Sequence, residues 1–269
     1  MRSNLAVRVL TAVVAVPFLL YLLLWAPSWG FIALLLAACL IGAIELFGMT
    51  MRDQPLLRAW GVAATLLQFG IMISPRDPLL SAASVPVLVI AAMVLGLSRP
   101  APVDKAASRI AWLIAGPLYI GATLGALGLL FLGKHGGYWV VLAALITWLG
   151  DTGAYFGGRA FGKHKLYETV SPNKTVEGAG AGLLGSVAGV LIAHFWFLPQ
   201  LPLLNGVALA LFGGMVGQLG DLCESLIKRG CGVKDSGWIV PGHGGILDRI
   251  DALLFVSPVV WFYVQWLQG

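Results

Sequence analysis

The sequence predicts an all-α polytopic membrane protein of about nine transmembrane helices with its N-terminus in the cytoplasm. Three observations predict this class. Apolar residues make up 59% of the 269, charged residues only 11%, and the mean hydropathy is +0.89, values far from those of soluble domains. Apolar runs of about 20 residues, enough to cross a bilayer as a helix, recur along the chain with short polar breaks. Those breaks alternate in basic content: of the 17 Lys and Arg residues, all but Arg76 and Lys134 fall on the side of the N-terminus.

The expected spans are 5–26, 29–50, 56–74, 78–98, 110–133, 137–156, 178–198, 202–227 and 250–268. The first follows Met1-Arg2-Ser3 as a signal peptide would, but no small-residue cleavage site follows LLLWAPSW, so a retained helix is expected. The second contains FIALLLAACLIGAIELF, which lacks the alternation of a barrel strand, and only a helix satisfies such a backbone in hydrocarbon. Arg52 and Arg58 bracket the turn into the third span, and SRPAPVDKAASR reads as a solvated connector between the fourth and fifth. Lys134 marks the turn into the sixth. The seventh opens with GAGAGLLGSVAG, where Gly178, Gly182, Gly185 and Gly189 lie three or four apart, and Gly213 and Gly217 repeat that spacing in the eighth. Such stripes let helix backbones approach closely, within one chain or across a homodimer. The ninth begins beside Asp248 and Asp251.

Function is expected to divide along the chain. Residues 1–138 read as a transmembrane scaffold. Residues 139–269 read as the catalytic region, with cytoplasmic loops at 157–178 and 228–249, because charged, Gly- and Pro-bearing loops between helices are the usual carriers of function. The net charge of +5 is a consequence of topology and gives no sign of nucleic-acid binding. Cys39, Cys223 and Cys231 are too few and too scattered for a zinc site or a disulfide framework. GHGG lacks the strand-then-helix context of a dinucleotide or P-loop motif.

Acidic residues inside the spans are the stronger signal, since an ionisable group in hydrocarbon costs about 3 kcal/mol on insertion scales unless it faces protein or water. Glu45, Asp151, Asp221 and Glu224 qualify. Glu45 has no neighbouring charged motif and reads as a polar contact within the bundle. Asp221, Ser225 and Lys228 share a helix face with Gly217; a plain ion pair between Asp221 and Lys228 is the simplest structural reading of that face. Asp248 and Asp251, three apart, point the same way if the last helix begins near Leu247. With Asp221 they form an oxygen-donor set without cysteine, which favours a hard cation such as Mg2+ over zinc; capping of a helix by Asp248 accounts for one of these acids only. Lys228, Arg229, Lys234, His243 and Arg249 surround this set, and Gly244 and Gly245 offer backbone amides. Ser171, Asn173 and Lys174 in SPNKT add donors on the same side of the membrane. Cations, a divalent metal and amides together suit a polyphosphate.

The residues Ser225-Leu-Ile-Lys228-Arg229, Lys234-Asp235-Ser-Gly237 and Pro241-Gly-His243-Gly-Gly-Ile-Leu-Asp248-Arg249-Ile-Asp251 resemble the hallmark of the phosphatidate cytidylyltransferase, or CDP-diacylglycerol synthase, family. DTGAYFGGRAFGKHKLYETVSPNKTVEG, from Asp151 to Gly178, resembles that family's second characteristic segment. The resemblance is strong in the back half and general in the front half. It implies attack of phosphatidate on the α-phosphorus of CTP, with metal at Asp221, Asp248 and Asp251, and Mg2+ joined by a monovalent cation as an optional second ion. Lys228, Arg229 and Lys234 are then expected to stabilise the pyrophosphate leaving group, and Ser225 to orient a substrate. A bacterial inner-membrane enzyme with its site at the cytoplasmic face is the expected setting. A secondary transporter would place its site near the midplane and show related halves. A CDP-alcohol phosphatidyltransferase would carry a longer-spaced run of aspartates in one helix.

Overall fold

The computed structural model describes residues 15–74, 78–238 and 244–268. Helices dominate it; eight of the nine expected spans coincide with a helical body, and the first, 5–26, is helical over Ala15–Leu24, its residues 5–14 lying outside the described residues. In chain order the helices are α1 (Ala15–Leu24), α2 (Ser28–Thr50), α3 (Pro55–Ile73), α4 (Pro78–Ser98), α5 (Ala106–Gly116), α6 (Thr123–Leu132), α7 (Gly136–Phe161), α8 (Val176–Trp196), α9 (Leu203–Gly230) and α10 (Leu247–Gln268). Helices α5 and α6 belong to one apolar body, Val103–Leu132, which counts as a single span. Seven bodies among the described residues are long and apolar enough to cross a membrane; α1 is shorter, and α10 opens with three charged residues, Asp248, Arg249 and Asp251.

Local chemistry explains the boundaries. Pro55 stands at the first helical position of α3, where its missing N–H costs nothing. Pro117 interrupts the fifth body, and the chain absorbs it in a wide π-helical turn over Pro117–Ala122 before resuming as α6. Arg109 organises the connector before α5 by donating to the carbonyls of Arg99, Pro100, Ala101 and Pro102 at 2.8–3.2 Å. A continuous apolar core unites the front and back of the chain, with Phe31, Leu46, Phe69, Leu124, Ile146 and Leu254 all almost wholly buried.

The glycine stripes pack helices within the chain. A Cβ added to Gly182 would meet the Gly150 carbonyl at 3.0 Å, and one added to Gly189 would meet the Leu145 carbonyl at 3.0 Å. From the other side, a Cβ on Gly153 would press on the Ala181 carbonyl at 2.6 Å. Helices α7 and α8 therefore meet backbone to backbone, which is the close packing that the spacing predicts.

The segment 157–178 differs from the expected loop. Helix α7 continues to Phe161, and a small antiparallel hairpin follows, β1 (Lys165–Tyr167) pairing with β2 (Ser171–Thr175). Two side chains lock it to α8. Thr175 Oγ1 caps the helix by accepting from Gly178 N at 3.1 Å, and Glu177 accepts from the Lys163 and His164 amides at 3.0 and 3.2 Å. The segment expected as a loop is thus a helix end and a hydrogen-bonded hairpin beside the bundle.

Candidate active site

Ion pairs and hydrogen bonds draw the last turns of α2 and α9 and the first turns of α8 and α10 to one end of the bundle. Asp221 on α9 pairs with Lys174 of the hairpin at 2.7 Å. Lys228, two turns further along α9, pairs with Asp248 of α10 at 2.6 Å and with Glu224 on its own helix. Arg52, just after α2, donates to the Cys231 carbonyl at 3.3 Å. Helices that alternate in direction, as nine spans require, bring these ends to one side.

Between α7, the hairpin, α8 and α9 lies a cavity of about 660 Å³. Asp151, Arg159, Ser171, Asn173, Lys174 and Asp221 supply its polar lining, and Tyr155 and Leu166 part of its apolar lining. Gln218 braces the far wall by donating to the Ala179 carbonyl at 3.1 Å. The expected residues of SPNKT therefore share one cavity with Asp221. The simple pairing of Asp221 with Lys228 does not occur; each takes a different partner.

The neighbouring cluster is tightly bonded. Asp248 Oδ1 holds Lys228, while its Oδ2 accepts from the Ser236 amide at 3.0 Å and the Gly245 amide at 2.8 Å. Ser236 Oγ lies 2.9 Å from Asp248 Oδ2 and 3.1 Å from Glu45 Oε2, with a single proton to donate between them. The Gly245 amide, expected to face phosphate, is spent on Asp248. Gly244 adopts φ +81°, and a Cβ there would meet Asp248 Oδ2 at 2.6 Å, so glycine is required for both reasons.

Other expected residues stand apart. Ser225 is buried, and its hydroxyl reaches Asp221 Oδ1 only at 3.5 Å, the outer limit of a hydrogen bond. Arg229 is exposed and donates to the Val233 carbonyl at 3.1 Å. Lys234 is exposed. Arg249 is exposed too, but lies within electrostatic range of Asp151. His243 lies outside the described residues. Sequence reasoning overlooked Ser236 and Arg159, and gave no site role to Asp151, Glu224 or Glu45. Only the buried acids carried a signal, their cost in hydrocarbon.

Asp221, Asp248 and Asp251 do not gather as one ligand set, because Lys228, Ser236 and Gly245 occupy Asp248. Among the described residues, no three His, Cys, Asp or Glu side chains stand close enough to hold a metal ion together. Asp151, Asp221 and Asp251 nevertheless lie within electrostatic range of one another. Five carboxylates (Asp151, Asp221, Glu224, Asp248, Asp251) are thus gathered at this end, interleaved with Arg159, Lys174, Lys228 and Arg249. A hard divalent cation matches that all-oxygen donor chemistry.

Comparison with known proteins agrees with this chemistry. The model of the Cytidylyltransferase family matches residues 6–267. The phosphatidate cytidylyltransferase of Staphylococcus saprophyticus is 36% identical over 268 residues, covering 94% of this chain and 96% of that protein. That of Staphylococcus haemolyticus is 37% identical over 264 residues with the same coverage. The phosphatidate cytidylyltransferase of Bacillus subtilis is 47% identical over 133 residues, 49% of each chain. With a family match spanning nearly every residue, this chain belongs to the cytidylyltransferase family.

Proposed function

We propose that the protein transfers CMP from CTP to phosphatidate, releasing CDP-diacylglycerol and pyrophosphate for phospholipid biosynthesis. One observation carries the reading: a cavity that joins a basic and acidic polar wall to apolar helix surface, in a chain of this family. A water-soluble triphosphate and a membrane lipid headgroup need such a junction. The excess of Lys and Arg on this end supports a cytoplasmic site at a bacterial inner membrane.

In this reading a phosphate oxygen of phosphatidate attacks the α-phosphorus of CTP, and the bond to the β-phosphate bridging oxygen breaks as pyrophosphate leaves. Phosphatidate is already an anion at neutral pH, so no strong general base is required. The protein's task is positioning and charge stabilisation. Lys174 and Arg159, with Ser171 and Asn173, hold phosphate oxygens along the hairpin wall. Lys228, fixed by Asp248, stabilises charge arriving on the leaving group, with Arg229 and Lys234 at the rim. Ser225 orients Asp221. Mg2+ would be held by Asp221 and Asp251 with Asp151 beside them, and would supply charge neutralisation at the triphosphate. Asp248, its oxygens already bonded, serves better as the anchor of Lys228 than as a ligand.

The test is pyrophosphate release by detergent-purified protein given CTP, Mg2+ and phosphatidate, with ATP and diacylglycerol as matched controls. Release confined to CTP with phosphatidate supports the reading. Release with diacylglycerol and ATP, or no release from folded protein, refutes it.

A further inference from the structure

We infer that Glu45, on α2 in the front half of the chain, is a positioning residue for this reaction, acting through Ser236 and the start of α10 on Asp248 and Lys228; the inference rests on the reaction proposed above. Glu45 is 6% exposed, and its carboxylate takes three donors from residues about 200 positions away. Ile246 N donates to Oε1 at 3.0 Å, Leu247 N to Oε2 at 2.9 Å, and Ser236 Oγ to Oε2 at 3.1 Å. The amides of Ile246 and Leu247 open α10, where backbone donors have no partner in their own helix. A carboxylate at that end is favoured by the helix dipole. Among the described residues no cation pairs with Glu45, so the helix terminus and the hydroxyl carry its compensation.

The surrounding backbone makes room for this side chain and its partner Ser236. A Cβ on Gly245 would meet Glu45 Oε2 at 2.5 Å, and one on Gly237 would meet its Cγ at 3.0 Å. Two glycines of the charged segment therefore cradle a carboxylate from α2. The loop that presents Asp248 is clamped at both edges by one residue. From Glu45 the connection runs to Ser236, whose hydroxyl and amide both reach Asp248 Oδ2, and Asp248 Oδ1 holds the Lys228 ammonium.

The test uses Glu45→Gln, Ser236→Ala and the double variant in the full chain. Glu45→Gln keeps the shape but sets an amide NH2 against donors, so the loop shifts. Displacement of a catalytic group by about 1 Å costs up to roughly a hundredfold in rate. We expect each single variant to lower kcat at least about tenfold, with the KM for CTP within about threefold of wild type, and the double variant to be no more than about threefold below the worse single. Thermal unfolding in detergent fixes the folded fraction used to normalise kcat. Multiplying losses, an unchanged kcat, or a rise confined to KM would overturn the inference. If Glu45→Gln does not fold, Ser236→Ala alone decides, since it removes only the bridge between Glu45 and Asp248: unchanged kcat overturns the inference. Failure of the wild-type protein to release pyrophosphate would instead sink the proposed reaction, a distinct outcome.

Discussion

Replacing Lys228 by Met removes the one cation, among the described residues, from a buried cluster of two carboxylates. The side chain of Lys228 is 11% exposed, that of Glu224 1% and that of Asp248 6%. Removing one partner of a buried pair costs about 3–5 kcal/mol, because the other charge is left uncompensated. Here two charges are left, but Asp248 retains the amides of Ser236 and Gly245 and the Ser236 hydroxyl, so Glu224 carries most of the penalty. Lys228→Met should therefore lose about 3–5 kcal/mol, a large share of a typical folding stability of about 5–15 kcal/mol. Adding Glu224→Gln should recover more than half of that loss, without restoring turnover. Denaturant titration in mixed micelles measures the first effect, and pyrophosphate release at varied CTP the second. A Lys228→Met variant within about 0.5 kcal/mol of wild type, or one with normal turnover, would refute the reasoning.

Lys174→Ala breaks a pair whose side chains are 28% and 32% exposed, so it should cost about 1 kcal/mol or less while sharply raising the CTP concentration needed; a large stability loss with normal kinetics would reassign Lys174 to structure. Asp248→Asn removes an acceptor to Lys228 and should abolish turnover in protein that still unfolds cooperatively; near-normal activity would remove Asp248 from the site. Reporter fusions within the 157–178 segment should report a cytoplasmic location, and a signal from the opposite side would overturn the proposed orientation.

Much of this was legible in the chain. Periodless apolar runs and the uneven placement of Lys and Arg predicted a helical membrane protein, and each run is helical over its described residues. Gly182 and Gly189 were readable as packing positions because only a missing Cβ allows backbones that close. The site was legible as a set of residue types, and Lys174 and Asp221 do share a cavity. The pairings were not legible. Asp221 takes Lys174 from 47 positions away, while Lys228 takes Asp248, because α9 meets the hairpin on one side and α10 on another, and no spacing along the sequence encodes those neighbours. Glu45 was read as a contact inside the bundle, which it is, but its partners lie about 200 residues on. The hairpin was missed because Lys165–Thr175 is short, charged and lacks alternation, and the contacts that tie it to α8, through Glu177 and Thr175, leave no periodic signal.

The central claim is that the CMP moiety of CTP ends on a membrane lipid. It is tested most directly by incubating purified protein and phosphatidate with CTP radiolabelled at the α-phosphorus or, separately, at the γ-phosphorus, and partitioning the products into organic solvent. The account predicts α-label in the lipid fraction and γ-label in water as pyrophosphate, in equal amounts. Transfer of γ-label to the lipid would mean kinase chemistry, and α-label remaining in water with phosphatidate present would contradict the account.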